Sequence, residues 1–184
     1  MRCLIIHNLA SGPRSDEIFA FEHALAAAGD EVVMRFIGQG MEAEDATRDA
    51  RSFDRVVVSG GDGTVANVLD CLRDTHVPVL VFPSGTANLF FNNIGNAPEP
   101  AALARACRVG KTATIDLGEI GWEDETGERR VRGFALMSGT GFDAQIMQAA
   151  LPNKAIMGQA AYFAAALANL RPSVEHFTIT VDGK

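Results

Sequence analysis

The chain contains few cysteines, and its basic residues are fewer than its acidic ones. Each of these two features argues against particular classes of protein or partner. The 184 residues include three cysteines that lie far apart and form no Cys-x-x-Cys pair, and the four histidines have no metal-ligand spacing. We therefore expect buried thiols in a cytoplasmic protein and structural roles for the histidines. The formal net charge is −7, which argues against nucleic acid as the main partner and against anchoring to anionic lipid by charge alone.

Long apolar runs are missing as well. The apolar residues at positions 3–6 are too few for a signal peptide, and they predict a first β-strand instead. The most apolar stretch, residues 155–170, is about one turn short of spanning a bilayer and contains Gly158, Gln159 and Asn169. With 47% hydrophobic and 21% charged residues, the composition is that of a folded globular protein.

Strand and helix patterns alternate over the first hundred residues. Four strands are predicted, at residues 4–6, 32–37, 56–58 and 77–82, and the last two are expected to be buried. The helices are predicted at residues 16–29, 42–53, 65–72, 86–91 and 99–109. This order predicts an α/β fold with an open, parallel, Rossmann-like sheet and helices on both faces. Ligands of such sheets bind at the carboxyl ends of the strands.

The pattern changes near residue 112. Strands are predicted at residues 112–122 and 131–137, joined by a charged turn, as the entry to an antiparallel region. A glycine loop, two helices and a strand at 176–181 follow, and this last strand has no returning partner. We therefore expect an α/β domain over residues 1–118 and the start of a truncated, β-rich second domain over 119–184. An unpaired strand edge there would favour a homodimer.

Two glycine loops follow neighbouring strands of the predicted sheet. Residues 60–64 read Gly-Gly-Asp-Gly-Thr, and residues 83–88 read Pro-Ser-Gly-Thr-Ala-Asn. Glycines at a strand end let a ligand approach the main chain, and clustered N–H donors bind phosphate. Asp62 could position a metal ion or a substrate hydroxyl, or it could form an Asx-turn or helix cap. Thr64 is a cap or a phosphate donor, and Thr86 could simply cap a helix.

Together the two loops resemble the diacylglycerol kinase catalytic domain family, which includes bacterial lipid kinases and is related to sphingosine, ceramide and NAD kinases. Further segments match the family in order along the chain. Asn-Leu-Ala-Ser-Gly at residues 8–12 resembles its Asn-Pro-x-Ser-Gly loop, and Ile-Asp-Leu-Gly at 115–118 resembles its Ile-Asp-x-Gly strand. Residues 141–144 resemble its Gly-Phe-Asp-Ala segment, and residues 158–162 resemble part of its Leu-Gly-x-x-x-Tyr helix.

The resemblance implies that residues 1–118 bind ATP, with magnesium, and that the acceptor is the hydroxyl of a diacylglycerol-like lipid. Asp62 and Asp116 would belong to the carboxylate network that holds the metal, directly or through water. The kinase would make peripheral contact with the inner face of the membrane. The implied nucleotide-site residues are Asn8, Gly60, Gly61, Asp62, Gly63, Thr64, Asn67, Gly85, Thr86 and Asn88.

The chain departs from the family pattern at three points. Leu89 stands where the family usually has an aspartate, and Ile37 stands where a nucleotide-contacting threonine is common. The family's catalytic base lies in a later segment that we expect beyond Lys184, so we expect weak nucleotide binding and no activity from this polypeptide alone. Two alternatives remain open: an NAD-kinase-like enzyme with a soluble acceptor, and a nucleotide-binding pseudokinase.

Overall fold

The fold alternates strands and helices up to residue 109 and then changes to a hairpin and a helix. The computed structural model describes residues 1–12, 16–38, 40–150 and 178. The strands are β1 (Arg2–Asn8), β2 (Glu31–Ile37), β3 (Arg55–Gly60), β4 (Val79–Pro83), β5 (Gly118–Glu123) and β6 (Arg129–Phe134). The helices are α1 (Glu17–Ala27), α2 (Ala43–Thr47), α3 (Asp62–Cys71), α4 (Leu89–Ile94), α5 (Pro100–Val109) and α6 (Phe142–Ala150).

The first four strands form one parallel sheet in the order β2-β1-β3-β4. Its register pairs Ile6 with Val58 and Val58 with Val81. The centre of β1 and almost all of β3 are buried, as expected for strands covered on both faces. The strand order reverses between β1 and β3, so the chain leaves these two strands in opposite directions and opens a crevice at their carboxyl ends. The predicted parallel α/β sheet is therefore confirmed.

Helices cover the sheet on both faces. Helix α1 packs against α5, and α2 packs against α3. Right-handed crossovers place these two pairs on opposite sides of the sheet. Helix α1 buries Ile18, Phe21 and Leu25, which lie on one side of the helix at i, i+3 and i+7. Gly29 follows the helix with a φ of +84°, so a residue without Cβ fits its end.

Strands β5 and β6 pair antiparallel in a hairpin that packs on α3. The backbone N–H of Gly133 donates to Oδ2 of Asp70 over 3.0 Å, and Nη1 of Arg73 lies 3.0 Å from Oε2 of Glu119. The chain divides into two compact units, Met1–Met137 and Ser138–Lys184, so the hairpin belongs to the first unit. The domain boundary predicted after residue 118 stays a prediction. In the second unit, α6 follows the glycine loop as expected.

Several element boundaries differ from the sequence prediction. Helix α4 begins at Leu89 instead of residue 86, and β6 spans Arg129–Phe134 instead of residues 131–137. The helix predicted at residues 42–53 is α2 followed by a separate 3-10 helix, Ala50–Ser52. The strand predicted from residue 112 begins only at Gly118, because residues 112–116 are exposed and gain none of the packing that favours an extended chain. Helix α3 begins at Asp62, earlier than predicted, so three of the five residues of the first glycine loop are helical.

The last predicted helix and strand, at residues 156–170 and 176–181, lie outside the described residues apart from position 178. In the part of the chain that the structure describes, no helix is both long and apolar enough to cross a bilayer.

Candidate functional site

The residues predicted to bind the nucleotide lie at or near the carboxyl ends of β1, β3 and β4, whereas the predicted metal ligand Asp116 lies between α5 and β5. Asn8 ends β1, Gly60 ends β3, and the second glycine loop follows Pro83 at the end of β4. Parallel pairing sets Gly60 beside Pro83 and His7 beside Ser59, so neighbouring strands stop at nearly the same level. We call this region the glycine edge, made of residues 8–12, 60–64 and 83–88.

The first loop is mainly the beginning of a helix. Gly61 is the N-cap of α3, with extended backbone angles, and Asp62, Gly63 and Thr64 form the first turn. The first N–H groups of a helix have no partner within it and point outward, and the helix dipole adds positive potential there. Asn67 lies one turn further along the same helix and is half-buried. A phosphate placed at this end of α3 would meet several backbone donors.

Close backbone packing brings the two glycine loops together. A Cβ on Gly85 would lie 2.3 Å from Cα of Gly61, and a Cβ on Gly60 would lie 2.5 Å from Cβ of Thr64. Real side chains do not approach this closely, so these positions require glycine whether or not a ligand is bound. The two loops that follow neighbouring strands are therefore in direct backbone contact at Gly61 and Gly85.

The loop after β1 is tied to both of the others. Nδ2 of Asn8 donates to Oγ1 of Thr64 over 2.7 Å, and Oδ1 of Asn8 accepts from the N–H of Ala10 at 2.9 Å. The N–H of Gly12 donates to the carbonyl oxygen of Ser84 over 2.7 Å. Asn8 is therefore a fixed part of the glycine edge, because both ends of its amide are hydrogen-bonded.

Asn88 closes the second loop. The N–H of Gly85 donates to Oδ1 of Asn88 over 2.8 Å, and Nδ2 of Asn88 donates back to the carbonyl of Gly85 over 3.0 Å. Asn88 is the N-cap of α4 and has a φ of +50°, a left-handed conformation that asparagine tolerates better than most residues. Thr86, which the sequence offered as an N-cap, is exposed within the loop two residues earlier.

Asp62 links the first loop to α4. Its Oδ1 accepts the N–H of Phe90 over 2.9 Å. This N–H belongs to the first turn of α4, where a helix has no internal acceptor, so Asp62 caps a helix other than its own. The sequence suggested a helix cap as one alternative for Asp62, although the distant partner could not be read from it. The second carboxylate oxygen remains available for another contact.

Three buried side chains lie beneath the glycine edge, and we call them the buried relay: His7, Ser59 and Ser84. Nδ1 of His7 is 2.9 Å from Oγ of Ser59, and that oxygen is 2.6 Å from Oγ of Ser84. Burial lowers the pKa of His7 below its ordinary value of 6.5, and the nearby charge of Asp16 only partly opposes this effect. The imidazole is therefore neutral at pH 7.

Two observations show that a phosphate group suits this edge. Gly63 lies in the first turn of α3, yet a Cβ there would meet no atom within 4 Å apart from its chain neighbours and its own helix backbone, so packing against the rest of the protein does not explain this glycine. Oγ of Ser11 is buried and has no hydrogen-bond partner among the described residues. Leaving a buried hydroxyl unpaired costs free energy, and a phosphate oxygen would be a suitable partner.

The two predicted metal ligands differ in their surroundings. Asp62 is half-buried at the glycine edge, whereas Asp116 is exposed in the segment between α5 and β5. The described residues contain no group of three His, Cys, Asp or Glu side chains that could hold an ion. A magnesium ion that is bound together with phosphates needs only one or two protein carboxylates, and Asp62 can supply one oxygen.

Two hollows of about 250 and 500 Å³ lie beside α2, and no residue of the glycine edge is among those that line them. The smaller is lined by Thr47 and Cys71 among others, and the larger includes the ion pair between Arg35 and Asp49. Neither contains a predicted site residue.

Comparison with known proteins identifies the family. Residues 2–120 match the profile of the diacylglycerol kinase catalytic domain. The chain belongs to this family. The match includes all the predicted nucleotide-site residues and Asp116, so the family suggested by the glycine loops is confirmed.

Individual relatives agree with this assignment. A diacylglycerol kinase of Mycobacterium tuberculosis is 35% identical over 136 residues, which are 73% of this chain and 43% of that protein. A probable lipid kinase, YegS-like, of Pseudomonas fluorescens is 29% identical over 164 residues, 86% of this chain and 51% of that protein. The chain thus spans about half, or less, of the curated relatives it matches.

A solved structure supports the fold. A putative diacylglycerol kinase from Bacillus anthracis str. Sterne superposes with a TM-score of 0.59 at 20% identity, covering 92% of this chain and 56% of that one. At this identity the likeness concerns the fold alone.

Sequence reasoning missed the buried relay and the unpaired hydroxyl of Ser11. One signal was present for the relay, since Ser59 directly follows a β-branched run and Ser84 directly follows another buried strand. A polar side chain in such a position needs a partner. That the partner of Ser59 is His7 depends on the strand order and register of the sheet, and local sequence spacing predicts neither.

Proposed function

We propose that this chain is the nucleotide-binding part of a lipid kinase that transfers a phosphoryl group from ATP to the hydroxyl of a diacylglycerol-like lipid. The observation that carries the proposal is Gly63, a glycine in the first turn of α3 that faces open space in a chain of the diacylglycerol kinase catalytic domain family. A bare backbone at a helix N-terminus suits a phosphate.

In the proposed reaction, this chain positions the phosphate donor. The first-turn amides of α3 and the hydroxyls of Ser11 and Thr64 would bind phosphate oxygens. Asn67 lies one turn further along α3, and Thr86 lies in the second glycine loop. The predicted site residues include no Lys or Arg, so among them the positive potential comes from the helix dipole, and a bound cation would add to it. Magnesium would supply that charge when bound, with Asp62 and, as the family resemblance implies, Asp116 as its carboxylates.

The proposed lipid acceptor also implies that the enzyme contacts a membrane. A diacylglycerol-like lipid lies in a bilayer, so the enzyme must contact the membrane surface peripherally to reach it. Since the chain spans only about half of its relatives, we propose that this polypeptide alone binds nucleotide but leaves lipid unphosphorylated.

Calorimetric titration with ADP, with and without magnesium, tests the nucleotide site of the 184-residue chain. A kinase assay on the complete gene product, with diacylglycerol micelles in one arm and NAD in the other, tests the acceptor. We expect ADP binding by the chain and phosphoryl transfer to lipid by the gene product. Transfer to NAD would favour the NAD-kinase-like alternative, and ADP binding without any transfer would favour a pseudokinase.

A further inference from the structure

The buried relay joins the three strands that carry the glycine edge. His7 lies on β1, Ser59 on β3, and Ser84 directly after β4, and they are 3%, 0% and 0% exposed. Both contacts, 2.9 and 2.6 Å, cross from one strand to the next. At this burial no water replaces a lost contact, so each polar atom depends on its neighbour for position.

Ser84 is where the buried relay meets the glycine edge. Its Oγ contacts Ser59 below the edge, while its carbonyl oxygen accepts the N–H of Gly12 over 2.7 Å. The next residue is Gly85, whose backbone packs so closely on Gly61 that no Cβ would fit. A displaced Ser84 would therefore move two of the three loops, because tightly packed backbone cannot absorb the shift.

His7 provides a rigid end for the buried relay. Its ring makes edge contacts with the rings of Phe19 and Phe36. The imidazole centroid lies 6.4 Å from the ring centroid of Phe19 and 6.0 Å from that of Phe36. These rings, one from α1 and one from β2, restrict the orientation of the imidazole. Nδ1 is thereby directed at Ser59.

We infer that the buried relay is a positioning device for the proposed nucleotide site: His7, through Ser59, fixes Ser84 and so sets the spacing between the loops at residues 8–12, 60–64 and 83–88. The inference rests on the proposed function for its ligand. None of the three side chains needs to touch the nucleotide. They act through the backbone of Gly12 and Gly85.

Ser59→Ala and Ser84→Ala interrupt the buried relay, and Thr47→Val is the matched control. Thr47 is also buried, and its Oγ1 donates to the carbonyl of Ala43 over 2.8 Å, but it lies on α2, away from the glycine edge. For each variant we would measure thermal stability, ADP affinity by calorimetry well below the melting temperature, and amide hydrogen exchange at Gly12 without nucleotide.

All three variants should lose thermal stability, because each loses a buried hydrogen bond. Only the two relay variants should expose the Gly12 amide to faster exchange and weaken ADP binding, by roughly fivefold. Thr47→Val should stay within about twofold of the wild type in affinity. His7→Asn, whose amide can replace Nδ1, should retain most of the affinity that His7→Leu loses.

An unchanged Gly12 exchange rate in the relay variants overturns the inference, and so does an affinity loss no larger than that of Thr47→Val. If the wild-type chain binds no ADP, the proposed function fails instead. Gly12 exchange then still decides whether the buried relay positions the loop.

Discussion

At the scale of single residues, two glycines of one site are glycines for different physical reasons. Gly85 has no room for a side chain, because a Cβ would lie 2.3 Å from Cα of Gly61. Gly63 has open space around it and sits in a helix, where glycine costs stability relative to alanine. Backbone packing within the fold explains Gly85, whereas the approach of a ligand to the backbone would explain Gly63.

The pair gives a direct prediction. Gly85→Ala should lower the free energy of unfolding by about 1–3 kcal/mol, because the added methyl group forces the two loops apart. Gly63→Ala should raise it by about 0.5 kcal/mol through helix propensity, yet weaken ADP binding by blocking approach to the backbone. Chemical denaturation and calorimetry measure the two quantities. An unchanged ADP affinity in Gly63→Ala would contradict the phosphate site.

Ser11 gives a second prediction in which stability and binding move in opposite directions. Its buried, unpaired hydroxyl costs free energy in the free protein. Ser11→Ala should therefore stabilise the free protein by about 1 kcal/mol while weakening ADP binding several-fold. Denaturant melts with and without saturating ADP reveal both effects. If Ser11→Ala instead lowers the free energy of unfolding in the absence of ADP, the Ser11 hydroxyl has a hydrogen-bond partner in the protein, and the prediction is wrong.

At the scale of elements, the β5–β6 hairpin is held to α3 by Asp70. Partial burial by itself would raise the pKa of this carboxyl, but hydrogen bonds from Arg73 and from the N–H of Gly133 hold the pKa below its ordinary value of 3.8. A carboxyl with a lowered pKa stabilises the folded form fully above 3.8, and this stabilisation is lost as the pH falls through the folded-state value.

We therefore expect the hairpin to detach from α3 on acidification below pH 3.8. Trp122 lies on β5 and is the chain's single tryptophan, so its fluorescence can follow the change. Asp70→Asn should show part of the acid signal already at pH 7 and lack the acid step. If the fluorescence of Asp70→Asn changes with pH in the same way as that of the wild type, a titratable group other than Asp70 causes the acid transition.

The shorter elements show where local patterns fail. Residues 112–116 are rich in threonine and isoleucine, which favour strands, but they are exposed and extended pairing begins only at Gly118. Helix α3 shows the opposite effect, since it begins at Asp62 with Gly63 in its first turn. In both cases tertiary contacts, rather than intrinsic preference, set the boundary.

At the scale of the whole molecule, the hairpin suggests self-association. Among the described residues, β5 and β6 pair only with each other, so each strand leaves an outer edge without a partner. We expect the 184-residue chain to show a concentration-dependent dimer in sedimentation velocity. The dimer should weaken in Val131→Pro, which removes a backbone N–H from β6. If the chain is a monomer at every concentration tested, the strand edges of the hairpin do not pair between two copies, and the prediction is wrong.

The sequence by itself determined the parallel α/β sheet, the two glycine loops and the family, because hydrophobic periodicity and short glycine motifs are local properties of the chain. Only the tertiary structure decided that Gly85 packs on Gly61, that Asp62 caps α4, and that three buried side chains join the strands beneath the site. These contacts connect residues roughly 20–50 positions apart, and their partners depend on strand order and register. Those are settled by packing of the whole sheet, which no local pattern contains.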